Sequence, residues 1–403
     1  MIEFLASQVQ IVETKTFSLD VINRVLLYLD ANDGPILIIK DPRSDPVIET
    51  VLDKLSIEKE ITVLDRIVPN PECRDIDIMV ESAKKLKPNL IIGIGGGSTL
   101  DSAKAVAMLL INQGKLDEYL GRDAIRKVLK NGIPLVLVPT TTGTGSEVTR
   151  FGVYTSGCGR KHTLASDLLR PNAAILCEEL VSSLPAFLVA ITGFDALTHA
   201  LEALWNKNAS AVSDSIAEQA FIRIYNSIRK AWKEAADSEK ERYPGANERY
   251  SLLCGANLAG IAFDKTGTAA IHALSFVLSE MWHVPHGYAC AFFTDAVYDI
   301  NSKNEYVANK LFRIARELSI ADGSNINNAV KKLGVAIKRL RSDLGLGSDF
   351  DSLENAMVSQ FHPNGRGDSF AAFDACLDDP KMNNNIIPID LELIRSIIKR
   401  KVI

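Results

Sequence analysis

Residues 89–104 read NLIIGIGGGSTLDSAK, a short apolar run that ends in glycines and passes directly into residues spaced as a helix. A run this short, rich in Ile and Leu and closed by glycine, reads as a buried parallel strand, and the residues after the glycines read as the helix of a crossover. Working outward, the same rhythm returns at residues 35–40 (PILIIK), 61–65 (ITVLD) and 134–138 (PLVLV), with helical patterns at 73–86 and 98–110. Strands that alternate with helices imply right-handed crossovers and a doubly wound sheet. The first half is therefore expected to be a Rossmann-like, mainly parallel α/β domain.

Beyond Pro185 the strand signals fade. Segments of helical period follow one another at 186–204, 213–236, 247–263, 307–318 and 326–340, so the second half is expected to be all helical. The join falls near 181–185, with Ser182 or Ser183 as the expected N-cap and Pro185 in the first turn. This divides the chain into an α/β domain at 1–183 and a helical domain at 184–403. A length of 403 residues with 47% hydrophobic side chains fits two cores better than one. The net charge of −5 gives no footprint for nucleic acid or for an anionic membrane surface, so partners of those kinds are not expected. The opening MIEFLASQVQIVETK has neither a basic start nor a long apolar run, and a cytoplasmic location is expected. The six cysteines, Cys73, Cys158, Cys177, Cys254, Cys290 and Cys376, stand singly without a CxxC pair and read as free, mostly buried thiols.

The turn at Gly95, Gly96, Gly97 and Ser98 brings a strand into a helix start, where backbone N–H groups and the helix dipole suit a phosphate. It lacks the GK[ST] ending of a P-loop and is not a strict GxGxxG, and glycine also serves tight turns that bind nothing. A second loop alters the balance. Residues 139–149, PTTTGTGSEVT, again follow a buried strand, and two such loops at strand carboxyl ends fit a nucleotide crevice. Asp41 ends the 35–40 strand, where a carboxylate can accept from ribose hydroxyls and repel the extra phosphate of NADP; the bland alternative is an Asp-Pro turn. Arg43 beside it could soften that discrimination by pairing with a phosphate. Lys161 can reach a phosphate or ribose, or be an ordinary surface lysine.

Asp195 and His199 lie four apart in TGFDALTHALEAL, on one helix face, and His272 and His286 come later in TAAIHALSFVLS and VPHGYA. Three imidazoles and a carboxylate suit Fe2+ or Zn2+ with a position open to a substrate oxygen. A lone helical histidine is more often a packed core residue, and that reading is kept for His162 and His362.

The order GGGSTLDSAK, PTTTGTGSEVT, GFDALTHALEA, HALSFVL and PHG resembles the iron-containing (group III) alcohol dehydrogenases over essentially the whole chain. The resemblance implies hydride transfer between NAD(P)(H) and a small alcohol or aldehyde, with iron, or alternatively zinc, held by Asp195, His199, His272 and His286. It places the pyrophosphate loop on Gly95, Gly96, Gly97 and Ser98 and further nucleotide contacts on Thr140, Thr141 and Thr144, with Asp101, Val148 and Lys161 as weaker transfers. Asp41 matches the family's acid associated with NAD, so NAD(H) is expected over NADP(H), and many relatives are homo-oligomers. Phe276 stands where many members carry a relay histidine, so the proton is expected to leave through water or His283.

The stretch KTGTAAIHALSFVLS is also similar to the phosphonoacetaldehyde reductase branch of that family. If the His272 helix begins early, Lys265 lies two turns before it on one face, and Arg150 ends the second loop. Both could receive an anionic aldehyde; a neutral short-chain alcohol or diol, or a glycerol-dehydrogenase-like polyol, is the alternative. A noncatalytic nucleotide-binding protein would be expected to lack ligands, and all four positions are filled.

Overall fold

The computed structural model describes residues 8–31, 33–42, 45–67, 69–237, 247–321, 323, 325–347 and 369–400. Arg43 and His362 lie outside the described residues. The strands are β1 (Gln10–Thr14), β2 (Ile36–Lys40), β3 (Ile61–Leu64), β4 (Leu90–Gly95), β5 (Leu135–Pro139), β6 (Phe151–Thr155), β7 (Lys161–Ala165) and β8 (Ala173–Cys177). Six of them form one parallel sheet in the order β1-β8-β5-β4-β2-β3, and β6 and β7 pair as an antiparallel hairpin. The order reverses between β2 and β4, so the loops after those strands and after β5 share the carboxyl edge at the switch point.

Helices α1 (Leu19–Tyr28), α2 (Pro46–Glu58), α3 (Cys73–Leu86), α4 (Gly97–Leu109) and the short α5 (Glu178–Val181) accompany this sheet. The two-residue period of the strands decides what each face buries. Leu37, Ile39, Ile91 and Leu137 pack with Ile76, Val80, Leu100 and Ala103 of α3 and α4. Ile36, Ile38, Ile92 and Val138 pack with Ile22, Leu26, Leu52 and Leu55 of α1 and α2. Both faces are covered, which is why the strands read as continuous apolar runs.

The remaining helices are α6 (Ala186–Leu204), α7 (Ala211–Ala236), α8 (Asn247–Thr266), α9 (Ala270–Trp282), α10 (His286–Asn301), α11 (Glu305–Glu317), α12 (Ile326–Asp343), α13 (Ser369–Cys376), α14 (Pro380–Asn384) and α15 (Leu391–Arg400). Neither serine expected to cap α6 does so. Pro185 itself is the N-cap residue, and Ser182, at the C-cap of α5, donates its hydroxyl back to Glu179 O at 2.7 Å. Helix α6 is long and apolar enough to cross a bilayer by composition, but it is largely buried among α7, α9 and α10 as a core helix.

The chain forms two compact units, Met1–Leu184 with Glu239–Asp264, and Pro185–Ser238 with Lys265–Ile403. The segment that the helical period assigned to the second half thus belongs mostly to the first, through specific contacts made by α8. Tyr250 donates to Glu13 (2.8 Å), Asn257 donates to Glu147 (2.7 Å), and Asp264 accepts from Arg150 N (2.8 Å) and Arg170 Nη2 (2.9 Å). Gly260 lets α8 press on Gly145, since a Cβ built on Gly260 would stand 2.9 Å from Gly145 Cα.

Candidate active site

Helix α6 carries Asp195, His199 and Glu202 at i, i+4 and i+7, so all three leave one face. His272 lies in the first turn of α9, and α10 opens at His286 with Cys290 one turn later. These residues all belong to the second unit. Asp195 Oδ1 lies 3.4 Å from His272 Nε2 and 3.7 Å from His286 Nε2, and Cys290 Sγ lies 3.8 Å from His286 Nε2. One donor atom from each of Asp195, His272, His286 and Cys290 falls within 4.8 Å of the others. His199 is buried beside them with its ring stacked on His272, 4.3 Å between centroids, and its Nδ1 makes no hydrogen bond.

The protons of both imidazoles are fixed from outside the cluster. Glu202, fully buried, accepts from Ala269 N (2.7 Å), Ile271 N (2.5 Å) and His272 Nδ1 (2.7 Å). No side chain at the N-cap position serves α9, so the Glu202 carboxylate completes that helix start and orients its first ligand candidate at once. Ser275 Oγ gives its one proton to His272 O (2.9 Å) and so accepts from His286 Nδ1 (3.3 Å). Each ring therefore turns its Nε2 inward, toward Asp195; against the opposing effect of burial, the acidic neighbours, Glu202 and Asp195 among them, hold His272 well above its ordinary value, so without an ion that nitrogen carries a proton.

Asp195 Oδ1 and His272 Nε2 are buried and make no hydrogen bond, although they face each other. Burial alone would raise Asp195, but the imidazoles of His199, His286 and His272 outweigh it and hold the carboxyl below the usual range. Burial pushes the Cys290 thiol up to about 11. A divalent ion can replace the proton shared in this cluster and meet one donor atom from each of these buried side chains, so the residues present fit a divalent ion.

Phe276 packs beside His286, 5.7 Å between rings, and Lys381 Nζ lies 4.1 Å from the centre of the Phe276 ring. His283 is exposed at the left-handed C-cap of α9, at the far end of that helix.

In the first unit, α4 begins at Gly97, with Gly96 as an N-cap that offers no side chain to its N–H groups. The two glycine-rich loops meet there. Thr140 N donates to Gly95 O (3.0 Å), a Cβ on Gly96 would come 3.2 Å from Thr141, and one on Gly97 would come 2.6 Å from Thr144. A cradle that excludes Cβ atoms and leaves a 13-residue helix start uncapped fits a pyrophosphate. Ser98 Oγ accepts from Asn70 N at 3.2 Å. Asp41 follows β2 on the same sheet edge and is tied to β4 through Ile94 O (3.1 Å).

Other expected residues have partners within the first unit. Asp101 accepts from Ser146 Oγ (2.6 Å) and Val153 N (2.9 Å), joining α4 to the second loop and the hairpin. Val148 is buried against Gly260 of α8, and Lys161 opens β7 opposite Thr155. Lys104, which the sequence did not single out, is buried and donates to Phe151 O (2.7 Å); burial pushes its ammonium down to about 8 against the pull of Asp101.

Lys265 and His272 are not on one helix. Helix α8 ends at Thr266, Gly267 takes φ +77°, and α9 starts only at Ala270, so the two-turn alignment does not form. Arg150 turns its guanidinium to Asp167 (3.3 Å) and over the Phe151 ring (5.2 Å).

Residues 16–177 match the iron-containing alcohol dehydrogenase family, and residues 189–402 match the C-terminal domain of the Fe-containing alcohol dehydrogenase family. Long-chain-alcohol dehydrogenase 1 of Geobacillus thermodenitrificans (strain NG80-2) is 37% identical over 255 residues, 62% of each chain. Sulfoacetaldehyde reductase of Bilophila wadsworthia (strain 3_1_6) is 34% identical over 240 residues, 59% of this chain and 58% of the relative. The matched stretch thus spans less than two thirds of either relative's length. The crystal structure of a 1,3-propanediol oxidoreductase superposes with a TM-score of 0.86 at 26% identity, covering 100% of both chains. The two family matches fall on the α/β half and on the helical half that carries the converging donors. This chain belongs to the iron-containing alcohol dehydrogenase family.

Proposed function

We propose that this chain is a metal-dependent alcohol dehydrogenase that moves a hydride between NAD(H) and a small alcohol or aldehyde. The observation that carries this reading is the inward convergence of Asp195 Oδ1 with two imidazole Nε2 atoms whose other nitrogens are held by Glu202 and Ser275. Asp195, His272 and His286 would hold one divalent ion, iron or zinc, and His199, stacked on His272, completes the set that the resemblance implies. A bound metal and nicotinamide would supply Lewis acidity to the substrate oxygen and the hydride acceptor or donor.

The chain's own residues orient and shield. Glu202 keeps the proton on His272 Nδ1, and Phe276 covers His286 with a group that carries no proton, so the substrate's proton passes through water. Gly95, Gly96, Gly97 and Ser98, with Thr140, Thr141 and Thr144, would hold the pyrophosphate. A cytoplasmic homo-oligomer with small-molecule partners and no nucleic-acid or membrane partner is in keeping with the net charge of −5 and the family.

A neutral short-chain substrate is the first reading, because Arg150 is engaged by Asp167 and Lys265 does not share a helix with His272. The second is a short anionic aldehyde such as phosphonoacetaldehyde, for which Lys381, 4.1 Å over Phe276 but paired with Asp379 at 3.0 Å, is the cation beside the cluster. The test is NADH oxidation by Fe2+- or Zn2+-loaded protein with propionaldehyde, phosphonoacetaldehyde and sulfoacetaldehyde. Preference for propionaldehyde supports the first reading, preference for either anion the second, and no turnover of any aldehyde or alcohol defeats the assignment.

Asp41 is assigned to the adenosine ribose, where its charge disfavours the 2′-phosphate of NADP. Asp41→Gly is expected to raise the NADPH/NADH ratio of kcat/KM by roughly tenfold or more, on the scale of one charged contact. An unchanged ratio removes Asp41 from that role.

A further inference from the structure

We propose that Cys290 is a metal ligand, giving this chain a centre with a thiolate beside the carboxylate and imidazoles. The proposal rests on the metal reading above and adds a donor that the sequence treated as one more buried thiol. Helix α10 starts at His286 and presents Cys290 one turn later on the same face.

Three of the donor-to-donor distances suit a tetrahedral arrangement better than an octahedral one, and the rest are below 4.8 Å. A tetrahedral centre with bonds of about 2.0–2.3 Å has donor-to-donor edges of about 3.3–3.8 Å. Here the edges are 3.4 Å from Asp195 Oδ1 to His272 Nε2, 3.7 Å from Asp195 Oδ1 to His286 Nε2, and 3.8 Å from His286 Nε2 to Cys290 Sγ. An octahedral site with bonds of about 2.1 Å would need adjacent edges near 3.0 Å. A second observation points inward independently of the thiol: Asp195 Oδ1 and His272 Nε2 belong to residues only 4% and 3% exposed and make no hydrogen bond. Cys290 Sγ lies within 4.8 Å of a donor atom from each of these residues and, at 3.8 Å, contacts His286 Nε2, so the thiol that can hydrogen-bond to His286 is also placed to ligate an ion at the centre of the group.

On binding, the Cys290 S–H bond breaks heterolytically, its electron pair goes to the metal, and its proton passes to solvent, with no change of oxidation state. A thiolate is a softer donor than carboxylate or imidazole and favours Zn2+ over Fe2+ beyond what an all-N,O set would give.

Cobalt distinguishes this proposal from the reading beneath it. The full chain, stripped of metal and reloaded with one equivalent of Co2+, is expected to show an intense near-ultraviolet thiolate-to-cobalt band. Cys290→Ser should lose the near-ultraviolet band, whereas Cys158→Ser, at an exposed thiol, should keep it. Cys290→Ser should also weaken Zn2+ binding by more than the roughly 10–100-fold typical of losing an outer-sphere partner, and Fe2+ binding by less than it weakens Zn2+. X-ray absorption of the zinc-loaded wild-type chain needs no variant and should show one sulfur at about 2.3 Å. Cobalt bound without the charge-transfer band, the band retained in Cys290→Ser, or a zinc shell of nitrogen and oxygen alone overturns the thiolate and leaves the metal reading standing. A chain that takes up neither metal overturns both.

Discussion

His272→Ala is expected to leave a folded chain that retains little metal and turns over aldehyde at least about a thousandfold more slowly. The size of the effect comes from the task, since Lewis-acid stabilisation of a developing alkoxide is worth several kcal/mol, and each 1.36 kcal/mol is about tenfold in rate. The side chain lies where three constraints cross. Its Nδ1 is bound by Glu202, its ring stacks on His199, and its Nε2 faces Asp195 at 3.4 Å. Glu202 cannot restore that lone pair, because it stands on the opposite side of the ring. Metal content per chain and kcat/KM on the best aldehyde are the two readouts. Full occupancy together with full turnover would remove His272 from the centre.

The second large effect is on stability. Glu202→Ala is expected to cost about 3–5 kcal/mol, the range for removing one member of a buried charged network. The carboxylate serves Ala269 N, Ile271 N, His272 N and His272 Nδ1 from a fully buried position, so its loss strands four donors at the start of α9. For a unit of this size the fall in Tm should be roughly 6–20 °C. Calorimetry on metal-free protein isolates this from any loss of bound ion. Glu202→Gln keeps the shape and one acceptor oxygen, so it should keep most of the stability while lowering metal affinity by roughly 10–100-fold. An alanine variant within about 1 kcal/mol of the parent would show that water or a shifted backbone supplies the missing acceptors.

The sheet was legible where strands are buried on both faces. PILIIK, NLIIGI and PLVLV have no polar interruption, and they form β2, β4 and β5 in the core. Strand β1, QIVET, is an edge strand with polar ends, and β8 opens on two alanines, so neither carries a strong apolar signal although β8 is wholly buried. The hairpin β6–β7 alternates rather than runs apolar, and it lies outside the parallel pattern. At the site, the i,i+4 pair Asp195 and His199 drew attention because both are familiar ligands. Cys290 stands at the same spacing from His286, and that spacing was available as a signal, but single cysteines are usually space-filling. Glu202 sits at i+7 from Asp195 and could have been suspected on that face. Its partners, however, come from α9, and no local pattern reveals a carboxylate that caps a helix 67 residues away from it. Lys265 failed for a local reason: the turn at Gly267 divides what a helical period joins.

The path of the chain bears on the order in which the protein can be made. The first unit is not finished when the ribosome passes Leu184, because it still lacks the piece that contains α8. Until then Arg170, whose side chain ends only 7% exposed, has no Asp264 to neutralise it, and Glu147 has no Asn257. The intervening residues of the other unit emerge before those partners do. A gene fragment cut at 184 would therefore encode an α/β piece with a frayed seam, in which Arg170 keeps Asp167 but loses its buried partner and Glu147 loses its amide donor. Dissection, fusion or transplantation of the nucleotide-binding half should carry residues 239–264 with it, supplied as a covalent graft or as a separate peptide.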